Sequence, residues 1–401
     1  MVLNRLSIGG PAVNTLAVAH QLSRDFEILL LAGEPLPQEE SAAHLLQKYK
    51  GFRVEMLPSI RRAIQPVQDL KAFFQLKEKI RSFQPQIIHT HGSKPGVLAR
   101  LAAIQCKVPV IAHTYHGHVF HSYFSRFITS FILKAERWLA KRSSFLIAIN
   151  NQLMNDLTEV YRIAPADKIL LNRLGLETAE MYDETGAGRQ QFRKAYGLEA
   201  QTVAIGIVGR LVPVKNHRLF IELVDYLLHA SAIKIPMRFF IVGDGEERTK
   251  LEALLQQKQI AFTRDDETIN NEAPVVFTSW RTDMDFVYAG LDLVVLTSLN
   301  EGTPVSVMEA MAAGKPVLSS KVGGIAELFG ANENGCFFET KDEFFQQAEA
   351  FIQDPERRRT FGTRARSYAQ QQLSLEQQSG GLKSIYHSFL AKNQVKPSLS
   401  A

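Results

Sequence analysis

Two carboxylates, Glu301 and Glu309, set beside a glycine turn, carry the densest chemistry in the chain. Residues 293–317 read LVVLTSLNEGTPVSVMEAMAAGKPV. An apolar run that suits a buried strand ends at Thr297, and a short loop then holds Glu301 and Gly302. Thr303 is read as a helix N-cap and Pro304 as the first helical residue, with Gly314 and Lys315-Pro316 ending the helix. Strand, glycine loop and helix N-terminus together form an anion site, in which the N–H groups of Val305 and Ser306 suit a phosphate. Carboxylates repel phosphate, so Glu301 and Glu309 need another role. Accepting hydrogen bonds from sugar hydroxyls supplies one. Glu309, two turns into the helix, would accept from a ribose, and Glu301 from a second sugar. The competing reading makes them solvated charges. For Glu309 that is hard to sustain among Val307, Met308, Ala310, Met311 and Ala312, where an unpartnered charge is costly.

A second cluster, IVGRLVPVKN at 207–216, follows another apolar run. Gly209 lets the backbone approach a ligand. Arg210 and Lys215 lie where they would neutralise a diphosphate leaving group without a metal, although each alone reads equally as a surface base. The turn Gly243-Asp-Gly245 is a weaker mark of the same kind. Near the start, Gly9-Gly10-Pro11 opens a helix and offers a close-approach loop. Six of the 11 histidines fall at 89, 91, 113, 116, 118 and 121. The spacing of His116, His118 and His121 invites a metal. That reading is set aside because no Asp or Glu stands between Glu78 and Glu136 to complete a site. One or two of these histidines are expected to line a ligand site as hydrogen-bond partners.

Alternating elements must hold these groups. Short apolar runs at 2–6, 26–32, 53–57, 86–90, 110–115 and 145–150 alternate with helical stretches at 12–23, 71–83 and 125–141. This predicts a parallel sheet with crossover helices. A polar stretch at 178–201, with a short helical piece at 190–196, reads as a domain junction. The alternation resumes with strands at 203–208, 238–242, 275–278, 293–297 and 316–319 and helices at 217–229, 246–257, 305–313 and 325–329. Beyond 341 the chain favours helix to about 391. The fold class is therefore α/β, two doubly wound Rossmann-like domains. They cover 1–180, joined by a terminal helix at about 377–391, and 200–370. Ligands in such sheets sit at the carboxyl ends of the strands, and the two domains are expected to face each other across a cleft.

The 401 residues carry 46 Lys/Arg and 41 Asp/Glu, a net charge of +5. The excess is uneven: residues 1–180 hold 22 basic against 14 acidic, and residues 181–401 hold 24 against 27. The first half is thus suited to an anionic partner such as a membrane surface or a phosphorylated substrate. Two cysteines without CxxC spacing fit a reducing compartment. No apolar run is long enough to cross a bilayer, and no signal peptide is read at the start. In residues 120–142, Ile128, Ile132, Ala135 and Leu139 form a stripe expected to face the core. Phe120, Tyr123, Phe124, Phe127, Phe131 and Trp138 add a second stripe among Arg126, Lys134, Arg137, Lys141 and Arg142. An aromatic stripe is ordinarily core, but one apolar stripe suffices for packing, so the second has two readings, further core or a peripheral membrane contact.

Over nearly its whole length the sequence resembles the family 4 glycosyltransferases of the GT-B fold, of the bacterial polysaccharide-assembly type. The E-x7-E spacing of Glu301 and Glu309 carries the resemblance, supported by Val208-Gly-Arg-Leu with Lys215 and by Gly243-Asp-Gly. His89-Thr-His91-Gly and Thr114-Tyr-His116-Gly-His resemble the acceptor-side motifs. The resemblance implies retaining, metal-independent transfer of a sugar from a uridine- or guanosine-diphosphate donor to a glycan or lipid-linked acceptor in cell-surface polysaccharide biosynthesis. No other cofactor and no nucleic acid are implied, and the location is cytoplasmic, at the inner face of the plasma membrane. Arg210 and Lys215 would hold the diphosphate and Glu309 the ribose. Glu301 with Gly302, Thr303, Pro304 and Val305 would hold the donor sugar, with Trp280 and Arg281 near the base. Gly209 and Gly243 would give close approach, Gly10 would abut the diphosphate, and His116 would stand near donor sugar and acceptor hydroxyl. A nucleotide-sugar epimerase of similar fold and a scaffold with a dead site are the competing classes. A nicotinamide dehydrogenase is disfavoured, since no G-x-G-x-x-G follows the first strand.

Overall fold

The computed structural model describes residues 1–36, 40–61, 64–117, 126–178, 181–183, 185–265, 269–331 and 333–394. The chain divides into two units, Met1–Gly175 with Leu375–Ala401, and Leu176–Ser374. In the first, strands β1 (Val2–Leu3), β2 (Leu29–Ala32), β3 (Arg53–Met56), β4 (Ile87–His91), β5 (Val110–Tyr115), β6 (Phe145–Ala148) and β7 (Ile169–Leu171) form one parallel sheet in the order β3-β2-β1-β4-β5-β6-β7. Its helices are α1 (Gly10–Leu22), α2 (Pro66–Phe83), α3 (Ser93–Gln105), α4 (Arg126–Arg142) and α5 (Asn151–Asn155). The chain winds outward from β1 through α1 in one direction and from β4 through α3 and α4 in the other. Right-handed crossovers therefore put α1 on one face and α2, α3 and α4 on the opposite face.

The burial follows that winding. Leu16, Ala19 and Leu22 of α1 pack with Leu30, Val110 and Phe145 on one side of the sheet. Ala72, Leu76 and Ile80 of α2 and Ala99, Ala102 and Ala103 of α3 pack with Leu31, Ile88 and Ile111 on the other. Both faces being covered is why the central strands read as continuous apolar runs.

The second unit repeats the plan. It begins with α6 (Ala187–Ala195) and continues through β8 (Val203–Val208), α7 (His217–His229), β9 (Met237–Val242), α8 (Arg248–Gln257), β10 (Phe262–Arg264), β11 (Val275–Ser279), α9 (Met284–Gly290) and β12 (Leu293–Leu296). It ends with α10 (Val305–Ala312), β13 (Val317–Ser320), α11 (Ile325–Phe329), β14 (Cys336–Phe338), α12 (Lys341–Gln353) and α13 (Pro355–Gln372). The sheet is parallel, in the order β10-β11-β9-β8-β12-β13-β14. Helix α14 (Leu375–Gln394) then returns to the first unit. There Gln378 exchanges hydrogen bonds with Asn14 at 2.7 and 2.9 Å and accepts the Gly175 N–H at 2.8 Å. Among the described residues, no helix is long and apolar enough to cross a membrane.

Helix α4 departs from expectation. Of the stripe Ile128, Ile132, Ala135 and Leu139, Leu139 alone is fully buried, and Ile128 is exposed. The face turned inward carries Glu136, Leu139 and Ala140. Electrostatics explains the rotation. Arg100 of α3, completely buried, donates to both Glu136 oxygens at 2.9 and 2.8 Å, and the Tyr115 hydroxyl donates to the same carboxylate at 2.8 Å. Breaking such a pair would leave an uncompensated buried charge, so the helix turns Glu136 inward and Phe131 and Trp138 outward. His118, His121, Phe120, Tyr123 and Phe124 lie outside the described residues.

Candidate active site

Four neighbouring strands of the second sheet, β11, β9, β8 and β12, run parallel, so the loops at their carboxyl ends converge. Those loops carry nearly all the residues singled out in this half. After β8, Pro213–Lys215 forms a tight turn. It is clamped by the Leu299 N–H on Val214 O at 2.8 Å and by the Thr297 hydroxyl against Lys215 O and Asn216 O at 3.0 and 2.9 Å. The clamp sets Lys215 Nζ 2.5 Å from Glu301 Oε1, which also accepts from Ser298 Oγ at 2.6 Å. Gly243 brings the next loop against the first: a Cβ there would lie 2.1 Å from Gly209 O, and its φ of +129° favours glycine. Arg210 occupies the same turn, and its neighbour Leu211 donates its N–H to Asp244 O at 2.9 Å.

The Glu301 loop is fixed from a third side. A Cβ on Gly323 would stand 1.8 Å from Glu301 O, and the Gly324 N–H donates to Gly302 O at 2.7 Å. This bond holds Gly302 and Thr303 outside the helix. The N-cap of α10 is consequently Pro304 rather than Thr303, and the helix starts at Val305. Val307 and Met308 donate back to Pro304 O at 3.1 and 3.2 Å, so the first-turn N–H groups of Val305 and Ser306 have no intrahelical acceptor.

Glu309 has the partner its apolar helix demands. Its Oε2 lies 3.0 Å from the Tyr288 hydroxyl, which also lies 3.0 Å from Ser306 O. Only an edge of the residue reaches the surface. Burial pushes its pKa up to about 7, against the opposing pull of the Tyr288 hydrogen bond. Arg281 does not join the group. Its guanidinium is held by Asp283 of its own loop at 2.5 Å and by Asp265, just after β10, at 2.6 Å, with Trp280 half-buried beside it. The sequence left Tyr288, Ser298 and Gly323 unremarked. The pair Gly323-Gly324 after a strand was the available signal for the last.

In the first unit, Gly10 opens α1 after β1 and His116 follows β5, with β4 between those strands. His116 Nε2 lies 3.0 Å from His91 Nδ1. His91 stacks on His89 with ring centres 4.4 Å apart. His89 is bonded at both nitrogens, to the Tyr386 hydroxyl of α14 at 2.5 Å and to Thr114 Oγ1 at 2.7 Å. Burial lowers His116 to about 4 and His89 to about 3, so both rings are neutral near pH 7. His91 Nε2 and His116 Nδ1 are buried without a hydrogen-bond partner. Both residues line a cavity of about 20 Å³ with Asn14, Thr15 and Gln378, about the room one water needs. Among the described residues, no group of three or more His, Cys, Asp or Glu side chains is placed to hold a metal ion.

Two family models match most of the chain between them: the glycosyl transferase 4-like domain over residues 9–175 and the glycosyl transferases group 1 over residues 188–368. The Escherichia coli UDP-Gal:alpha-D-GlcNAc-diphosphoundecaprenol alpha-1,3-galactosyltransferase is 28% identical over 319 residues, 77% of this chain and 79% of that protein. The Campylobacter jejuni N,N'-diacetylbacillosaminyl-diphospho-undecaprenol alpha-1,3-N-acetylgalactosaminyltransferase is 23% identical over 317 residues, 77% of each chain. Among solved structures, Anabaena Alr3699/HepE with UDP and glucose superposes with a TM-score of 0.77 at 20% identity, covering 96% of this chain and 98% of that one. WaaG, a glycosyltransferase involved in lipopolysaccharide biosynthesis, gives 0.71 at 16% identity over 96% and 99%. With two Rossmann-like domains, both matched by glycosyltransferase models, the chain belongs to the family 4-like glycosyltransferases of the GT-B fold.

Proposed function

We propose that this glycosyltransferase moves a sugar from a uridine-diphosphate donor, with retention at the anomeric carbon and without a metal ion, to a lipid-linked glycan acceptor in cell-surface polysaccharide assembly. The observation that carries it is Lys215 held 2.5 Å from Glu301 at the mouth of α10. A cation poised by a carboxylate beside unbonded helix N–H groups suits a diphosphate joined to a sugar. As the bond from the anomeric carbon to the phosphate oxygen breaks, the diphosphate keeps the bonding pair. Lys215, Arg210 and the α10 N-terminus meet the charge that builds there, as a metal does elsewhere. Glu309 accepts from the ribose hydroxyls and Glu301 from a hydroxyl of the transferred sugar. His116 is the polar group of the first domain assigned to the acceptor side.

Uridine is favoured over guanosine because the Escherichia coli relative is named for UDP-Gal and the Anabaena structure for UDP. A diphospho-lipid acceptor is favoured by the names of both bacterial relatives. Such an acceptor is met at the inner face of the plasma membrane. There α4 offers Phe131 and Trp138 among exposed Lys134, Lys141 and Arg142. The test is transfer from radiolabelled UDP-hexoses to a short-chain prenyl-diphosphate sugar, with the anomeric configuration read by NMR. Retained product that depends on added acceptor supports the reading. Inverted product refutes retention, and conversion of the donor without acceptor refutes transfer.

A further inference from the structure

Helix α2 carries two apolar stripes, and the fold uses one. Ala72, Leu76 and Ile80 are buried against the sheet. On the opposite side of the same helix, Val67, Leu70 and Phe74 are 81%, 57% and 56% exposed, and Ile64 just before the helix is 77% exposed. Residues spaced three and four apart share a helix face, so the three form a continuous outward patch. Lys71 and Arg81 are exposed beside it, with Glu78 the one exposed acid of the helix, while Asp69 is held by Lys94. Scattered surface apolars need no explanation, but a contiguous patch of large ones rimmed by charge does.

The position of α2 says what covers it. Helix α3 packs against both α2 and α4, and all three lie on one face of the first sheet. Each helix starts at the carboxyl edge of the strands, where His91 and His116 stand. The patch on α2 lies in its N-terminal half, and on α4 Phe131, 74% exposed, lies in the corresponding half. Every exposed charge on α4 is basic, because its one acid, Glu136, is buried against Arg100. Apolar side chains flanked by cations match an anionic bilayer surface and not a neutral partner.

We propose that α2 is a second membrane-contacting helix. Ile64, Val67, Leu70 and Phe74 enter the headgroup region beside the α4 contact, so that the domain rests on two helices with the His91–His116 edge towards the lipid-linked acceptor. This rests on the membrane reading of α4 and extends it to a surface which that reading does not include.

The test is flotation of the full-length protein with phosphatidylglycerol/phosphatidylethanolamine vesicles and with neutral phosphatidylcholine vesicles, at low and high salt. Wild type is expected to bind the anionic vesicles and to bind the neutral ones at least tenfold more weakly. The double variant Leu70→Glu/Phe74→Glu is expected to lose at least tenfold in anionic-vesicle binding, with an unchanged thermal melt because both sites are exposed. Phe131→Glu/Trp138→Glu, made in parallel, separates the two helices. If the α4 variant loses binding and the α2 variant keeps it, the α2 proposal falls and the α4 reading stands. If the wild type is a dimer that the α2 variant dissociates, the patch is a seam between copies and the proposal also falls.

Discussion

Replacing Glu309 by glutamine should make the protein more stable and a poorer enzyme, and the stability gain should grow as the pH rises from 4.5 and be complete above about 7. Burial raises the Glu309 pKa from 4.5 to about 7. At 1.36 kcal/mol per pH unit, that difference puts about 3 kcal/mol of strain on the ionised native state, and the partly exposed edge of the residue trims it to about 1–3 kcal/mol. The sign follows from proton binding. Between pH 4.5 and 7 the native state holds a proton that the unfolded chain has released, so stability is lost as the pH rises through that window. Glutamine keeps the hydrogen bond to Tyr288 and has no such titration. Melting curves of both proteins should therefore nearly coincide at pH 4.5. At pH 8 the variant should melt about 2–12 °C higher, at roughly 2–4 °C per kcal/mol for a domain of this size. Titration with UDP should show the opposite effect: losing a charged acceptor for the ribose hydroxyls should weaken binding about 10- to 100-fold. A variant less stable than wild type at pH 8, or one with unchanged UDP affinity, would refute the argument.

Three further outcomes follow from the geometry. Lys215→Ala should lower kcat about 10²- to 10³-fold, measured by donor turnover, while the circular dichroism spectrum stays that of wild type. Arg100→Met leaves Glu136 buried without its cation and should cost about 3–5 kcal/mol in urea unfolding, whereas Arg100→Met/Glu136→Met should recover most of it. Burial holds His89 at about 3 and His116 at about 4, so their contribution is full above pH 6.5 and is lost as the pH falls from 6.5 towards 4. An acid titration followed by fluorescence should show the first unit loosening in that window, and His89→Gln should flatten the transition.

What the sequence disclosed follows a physical division. Central strands were legible because a sheet covered on both faces favours apolar runs, as at Val203–Val208 and Leu293–Leu296. The strands it concealed, β7, β10 and β14, have three residues each and lie at sheet edges. There one side chain or two settle the burial and no periodicity can accumulate. Glu309 stood out because it is a charge among apolar neighbours, whereas Glu301, Arg210 and Lys215 drew notice only through their place in glycine-bearing loops after apolar runs. Tyr288 was not, because its bond to Glu309 spans 21 positions and exists only after β12 has brought α9 beside α10. The inward turn of α4 was hidden likewise: Glu136 reads as a surface charge until Arg100, 36 positions away, meets it.

Helix α2 sharpens the division. Both stripes are apolar and spaced three or four residues apart, so periodicity cannot tell which faces the core. In the fold Ala72, Leu76 and Ile80 face the core, and Val67, Leu70 and Phe74 are left outside. A sequence selected for packing alone would place polar residues at those outward sites, as helices on a solvated face do. The breaches of local rule thus fall in two places: a carboxylate set in an apolar helix in one unit, and large apolar side chains set in water in the other. Each carries a cost in the isolated chain, and the partners proposed above would relieve it: a hydroxyl-rich nucleotide would meet the first, and a membrane surface holding a lipid-linked acceptor would meet the second.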